Sequence, residues 1–149
     1  MFEHDYKAFP ELTNAQLADF GFSSPHPQFT EDFDAVVVKV HDGDTLSLTT
    51  PERDFIFPLR LLDIDAPELS EGGEEARDWL KNLVLNETIR VQIDPDNRVG
   101  KYGRLLGKVI YGGMDVGEEM LHLTLVSKFG FKKEGQIESI SKILLEASI

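Results

Sequence analysis

The stretch from Ala35 to Leu62 constrains this chain most, because apolar and β-branched residues recur there in short runs separated by turn residues. Ala35 to Val40 is the first run. Asp42-Gly43-Asp44 supplies the small polar residues that a tight hairpin turn uses, and Thr45 to Thr50 alternates after it. Phe55 to Leu62 predicts a third strand. Helical spacing begins at Glu74 to Leu85, where Ala76, Trp79, Leu80 and Leu83 share one side and charges the other. Thr88 to Ile93 and Arg104 to Tyr111 predict two more strands, the second ending at the Gly112-Gly113 turn. Val116 to Val126 and Gly135 to Ala147 have helical spacing again. Three strands, a helix, two strands and helices fit a mainly β chain of the α+β class. Its expected architecture is a small closed barrel with a helix inserted between the third and fourth strands.

A chain of 149 residues with 41% hydrophobic residues suits a single core. Residues 34–149 are expected to form that domain and residues 1–33 an extension. The extension carries six acids against one lysine, a net of −5, and six of the ten phenylalanines. Pro10, Pro25 and Pro27 interrupt it, and Thr13 can cap a short helix to Phe20. So many aromatic residues predict a segment that packs on the domain or docks a protein partner. There is no cysteine, which excludes disulfides, thiolate metal sites and cysteine nucleophiles. The four histidines share no ligand-like spacing. No apolar run is long enough to span a membrane, and the first thirty residues lack a signal-peptide pattern. An intracellular, cytoplasmic location is therefore expected, unless a leader has been removed. The net charge of −12 argues against a general nucleic-acid coating protein, yet leaves room for a local positive site.

The chemistry-bearing residues fall at strand ends. Asp42-Gly43-Asp44-Thr45 is one group. Arg60-Leu61-Leu62-Asp63-Ile64-Asp65-Ala66-Pro67-Glu68 is another, with Pro67 ending its strand. Carboxylates such as Asp44 and Asp65, with a backbone carbonyl and waters, suit a hard cation: calcium, magnesium or manganese. Arg60 and Arg104 bring planar guanidinium groups that grip phosphate through two hydrogen bonds. Glu68 brings a carboxylate able to position or deprotonate a water. Taken singly, each has an ordinary explanation: a hairpin turn, a solvated strand arginine, a helix-favouring glutamate.

Their order and spacing are not ordinary. The segments "VVVKVHDGDTLSL", "FPLRLLDIDAPEL", "GEEARDWLKNLV" and "VGKYGRLLGKVIYGGMDVGEEML" resemble the staphylococcal nuclease, or thermonuclease, family, over roughly residues 35–131. The resemblance implies an OB-fold-like five-stranded barrel and a role for each residue. Asp44 and Asp65 match calcium carboxylates, and Ala66 stands where the family has a threonine that offers its backbone carbonyl. Asp42 would support that site from behind. Glu68 matches the glutamate that acts on the attacking water. Arg60 and Arg104 match the two phosphate arginines, and Lys101 and Tyr102 match contacts to a neighbouring phosphate. Two features depart from the family's best-known member. The loop Leu69-Ser70-Glu71-Gly72-Gly73 is short and lacks lysine, and Phe129-Gly130-Phe131 falls near a nucleotide-contacting tyrosine. Base stacking would then rest on Tyr102 or a phenylalanine.

The expectation is a monomeric, calcium-dependent nuclease acting on DNA or RNA, preferably single-stranded, and leaving 3′-phosphate and 5′-hydroxyl ends. The alternative is a non-catalytic module of the same fold that binds nucleic acid or protein. Such modules typically lose the carboxylates and arginines that this chain retains.

Overall fold

The computed structural model describes residues 4–20 and 24–129. Strands β1 (Phe33–Asp42), β2 (Thr45–Thr50) and β3 (Arg53–Leu61) form an antiparallel meander. The two-residue β4 (Ile64–Asp65) and a single 3-10 turn at Leu69–Glu71 lead into helix α2 (Glu74–Val84). Strands β5 (Thr88–Gln92) and β6 (Leu105–Tyr111) return antiparallel, so that β5 lies beside β1. The ring closes where β6 pairs in parallel with β3, through Leu59 with Leu105, Arg60 with Leu106 and Leu61 with Gly107. The product is the expected closed barrel of five strands with α2 inserted between its third and fourth. Sequence analysis did not anticipate β4, nor the short β7 (Met114–Asp115) and β8 (Ser127–Lys128), which are too brief to show a period.

Alternation fills the barrel. Val37, Leu46, Leu48, Phe57, Leu59, Leu61, Ile89, Val91, Leu105 and Val109 are all buried, and α2 adds Ala76, Leu80 and Val84 on one stripe. Trp79 and Leu83 pack, partly buried, against that core. Gly107 permits the tight β5–β6–β3 contact, because a Cβ there would meet Val91 Cγ1 at 2.5 Å.

Helix α3 (Val116–His122) begins where expected, with Asp115 Oδ1 accepting from the Glu118 amide at 3.1 Å. It ends four residues before the predicted Val126. Thr124 takes a left-handed conformation, φ 59°, and the Leu125 amide turns back to the Met120 carbonyl at 2.9 Å. A β-branched residue rarely adopts that conformation, so nothing in the sequence marks the stop. The predicted helix at Gly135 to Ala147 lies outside the described residues.

The described part of residues 1–33 packs on the barrel. Helix α1 (Asn14–Phe20) starts in a capping box: Thr13 Oγ1 accepts from the Gln16 amide, and Gln16 Oε1 from the Thr13 amide. Leu12, Phe29 and Phe33 are buried. Glu11 and Arg53 form a bidentate ion pair of 2.6 and 2.7 Å beneath this segment, with side-chain exposures of 1% and 0%. Arg98, also buried, donates to the carbonyls of Leu12 and Phe29 at 2.9 and 2.8 Å.

Candidate active site

Strand register brings the two acid- and arginine-bearing groups together. The β1–β2 turn sets Asp44 at the mouth of the barrel, and the β2–β3 ladder places Thr45 opposite Arg60. Gly43 lets this turn sit against the inserted helix and the strand-end loop, since a Cβ would meet those of Ala76 and Ala66 at 2.7 and 2.9 Å. Asp63, in a left-handed turn with φ 67°, reverses the chain so that β4 presents Asp65 beside Asp44. The parallel β3–β6 pairing then delivers the third group, Lys101 to Arg104, to the same place. Gly103, φ 81°, shapes that loop.

Asp44, Arg60, Asp65, Ala66, Glu68, Lys101, Tyr102 and Arg104 all line one cavity of about 640 Å³. Sequence reasoning had singled out these eight, and none lies elsewhere. Asp44 is held on both carboxylate oxygens. Its Oδ2 accepts from the Ala66 amide at 2.7 Å, and its Oδ1 from the Thr45 hydroxyl at 3.0 Å. Arg60 Nη1 donates to the carbonyls of Leu61 and Ile64 at 2.8 and 2.6 Å. Its Nη2 lies between the two carboxylates, hydrogen-bonded to Asp65 Oδ1 and 3.3 Å from Asp44 Oδ2. Arg104 Nη1 donates to the Thr45 hydroxyl at 3.4 Å. Glu68, Lys101 and Tyr102 are exposed in the cavity lining. Phe129 is 56% exposed, with its ring centroid 6.0 Å from the Arg60 guanidinium carbon. Thr45 and Asn97, which also line the cavity, were not assigned a role from sequence. The "DGDT" spacing pointed to Thr45, whereas no spacing marked Asn97.

Burial raises the pKa of the Asp44 carboxyl above the ordinary value, and hydrogen bonding to Asp42 adds to this. The Ala66 amide and the charge of Arg60 oppose the shift without cancelling it. Five carboxylates (Asp42, Asp44, Asp63, Asp65 and Glu68) and three cationic side chains line the cavity, a net of −2. Two hard-oxygen carboxylates converging in an acid-rich cavity suit a divalent cation. Among the described residues no group of three or more His, Cys, Asp or Glu side chains is placed to hold a metal. Asp44 and Asp65, whose carboxylates both meet Arg60 Nη2, are the residues that could hold one.

The family model described as Staphylococcal nuclease homologue matches residues 58–147. The chain is 36% identical over 86 residues to a protein of Haemophilus influenzae named Uncharacterized endonuclease, covering 57% of this chain and 46% of that one. It is 30% identical over 95 residues to the Probable endonuclease LCL3 of Leptosphaeria maculans, covering 56% and 31% respectively. Over 117 residues it is 28% identical to the Thermonuclease of Staphylococcus hyicus, covering 71% of this chain and 68% of that protein. The chain thus spans less than half the length of the first two relatives. Among the described residues no helix is long and apolar enough to cross a membrane.

Proposed function

Because the chain belongs to the staphylococcal nuclease family, we propose that it is a calcium-dependent nuclease that hydrolyses phosphodiester bonds in DNA or RNA. The observation that carries this reading is the convergence of Asp44, Arg60, Asp65, Glu68 and Arg104 on one cavity. A non-catalytic module would have no use for all five. The net charge of −2 in that cavity repels a phosphodiester, so the acids call for a cation. Calcium, or magnesium or manganese in its place, would be held by Asp44, Asp65 and the Ala66 carbonyl. When bound there, such an ion would polarise a phosphoryl oxygen and offset developing charge.

The chain's own residues do the rest. Arg60 and Arg104 face the cavity and clamp the non-bridging phosphoryl oxygens. Glu68 orients a water in line with the scissile bond and accepts its proton as the new P–O bond forms. The P–O5′ bond breaks, and the departing oxygen takes a proton from solvent. The products carry a 3′-phosphate and a 5′-hydroxyl. Lys101 and Tyr102 hold the neighbouring phosphate. Single-stranded substrate is preferred, because a splayed backbone reaches the cavity mouth without unpairing.

Digestion of single-stranded DNA by the purified protein, with calcium and with chelator, tests the proposal alongside Glu68→Gln and Arg60→Ala. Calcium-dependent cleavage is expected, with a loss of about a hundredfold or more in each variant. Failure of the parent protein to cleave with any of the three cations would overturn it.

A further inference from the structure

A second groove, of about 630 Å³, adjoins the catalytic cavity and shares Tyr102 and Arg104 with it. Strand β3 forms one wall with Phe55 and Ile56, and the segment that precedes the barrel forms the other with Tyr6, Lys7 and His26. Rings from the two walls meet edge to face and form one continuous aromatic surface along the groove. The His26 centroid lies 4.9 Å from that of Phe55 at 67°, and Tyr6 lies 6.1 Å from His26 at 84°. Tyr102, on the ridge between the two spaces, is 70% exposed, and Ile56 is 63% exposed. Among the described residues, Lys7, Arg104, Glu11, His26 and Asp54 are the ionisable side chains of the groove other than its tyrosines, and Glu11 is neutralised by Arg53. The groove therefore lacks the acidic excess of its neighbour.

The groove is also preformed. The buried Glu11–Arg53 pair and the bonds from Arg98 to Leu12 and Phe29 fasten its outer wall to the barrel. The Phe9 ring abuts Gly103, where a Cβ would meet it at 3.0 Å, so this wall also touches the loop that bears Lys101 and Arg104. Half-buried rings beside the exposed Tyr102, on a fastened frame and without net repulsion of a polyanion, suit nucleobases.

We propose that this groove is a nucleobase subsite for the substrate strand. A strand whose scissile phosphate lies in the catalytic cavity crosses Tyr102 and lays its next bases against Phe55, His26 and Tyr6. The inference rests on the nuclease reading, and it makes the segment before the barrel part of the substrate-binding surface.

The test compares oligothymidylates of two and six nucleotides on the parent, Tyr6→Ala, which removes one wall, and Ala8→Trp, which fills the groove. The parent should gain affinity with length, read as the ratio of KM for the two substrates. Each variant should shrink that ratio about tenfold, the size of one lost base stack. The same ratio is measured without cleavage, by fluorescence anisotropy of labelled oligonucleotides on a Glu68→Gln background with calcium. That arm judges the subsite even if no form cleaves, an outcome that would count against the nuclease reading alone. A ratio unchanged in both variants, a parent that gains nothing with length, or an equal loss at both lengths overturns the subsite.

Discussion

Replacing Glu11 by alanine tests whether the segment before the barrel is structurally part of it. The substitution strands Arg53, whose side chain has 0% exposure and whose two terminal nitrogens both bond to Glu11. A guanidinium cannot shed its proton, so the charge stays. Its remaining described partners are the Pro27 carbonyl at 3.2 Å and the rings of Phe29, Phe57 and Phe55, with centroids 4.4, 4.6 and 5.3 Å away. Breaking a buried pair on one side costs about 3–5 kcal/mol. Cation–π contacts offset roughly 1–2 kcal/mol for a desolvated cation, but they are present before and after, so they do not reduce the difference. A domain of this size is stable by about 5–15 kcal/mol, so the variant should stay folded with a melting temperature lowered by roughly 10–15 °C. Urea unfolding followed by the fluorescence of Trp79, the single tryptophan, measures the change. Replacing both partners, Glu11→Met with Arg53→Met, should recover most of the loss, since apolar residues of similar size satisfy the same space. A cost below about 1 kcal/mol for Glu11→Ala, or a double variant no better than the single, would refute the clamp.

Other perturbations probe the site more directly. Gly43→Ala should cost about 1–3 kcal/mol by thermal melting, because its Cβ has no room between Ala66 and Ala76, and it should depress cleavage by moving the Asp44 turn. Calcium at about a hundred times its dissociation constant should stabilise the parent by roughly 2.7 kcal/mol, and Asp65→Ala should abolish that gain in the same melt. In chelator, the raised Asp44 pKa means the folded protein keeps a proton that the unfolded chain has released. Stability should then fall as pH rises from the unfolded value of about 4 through the folded one, and Asp44→Asn should flatten that part of the profile in urea midpoints taken against pH. A profile that instead rises across this window in chelator and is indifferent to Asp44→Asn would show that Arg60 outweighs burial at this carboxyl.

Local chemistry is what the sequence decided alone. Alternation at Thr45–Thr50, the Asp-Gly-Asp turn, the apolar stripe of α2 and the strand-ending Pro67 act over a few residues, so each is visible in a short window. The eight residues that line the cavity fall in short groups whose order resembles a known family, and that is why the sequence could single them out. Tertiary structure decided how those groups meet. Residues 59–61 pair with residues 105–107, and only this parallel closure sets the loop of Lys101 and Arg104 beside Asp44. Charge also reads differently in the fold. Arg53 and Arg98 look like ordinary strand and loop cations in sequence, yet both are buried and tie down Glu11, Leu12 and Phe29. Partners lying 42 and 86 residues apart leave no local signal. Whether a charged side chain faces water or a counter-charge depends on which distant strand covers it, and only the folded chain settles that.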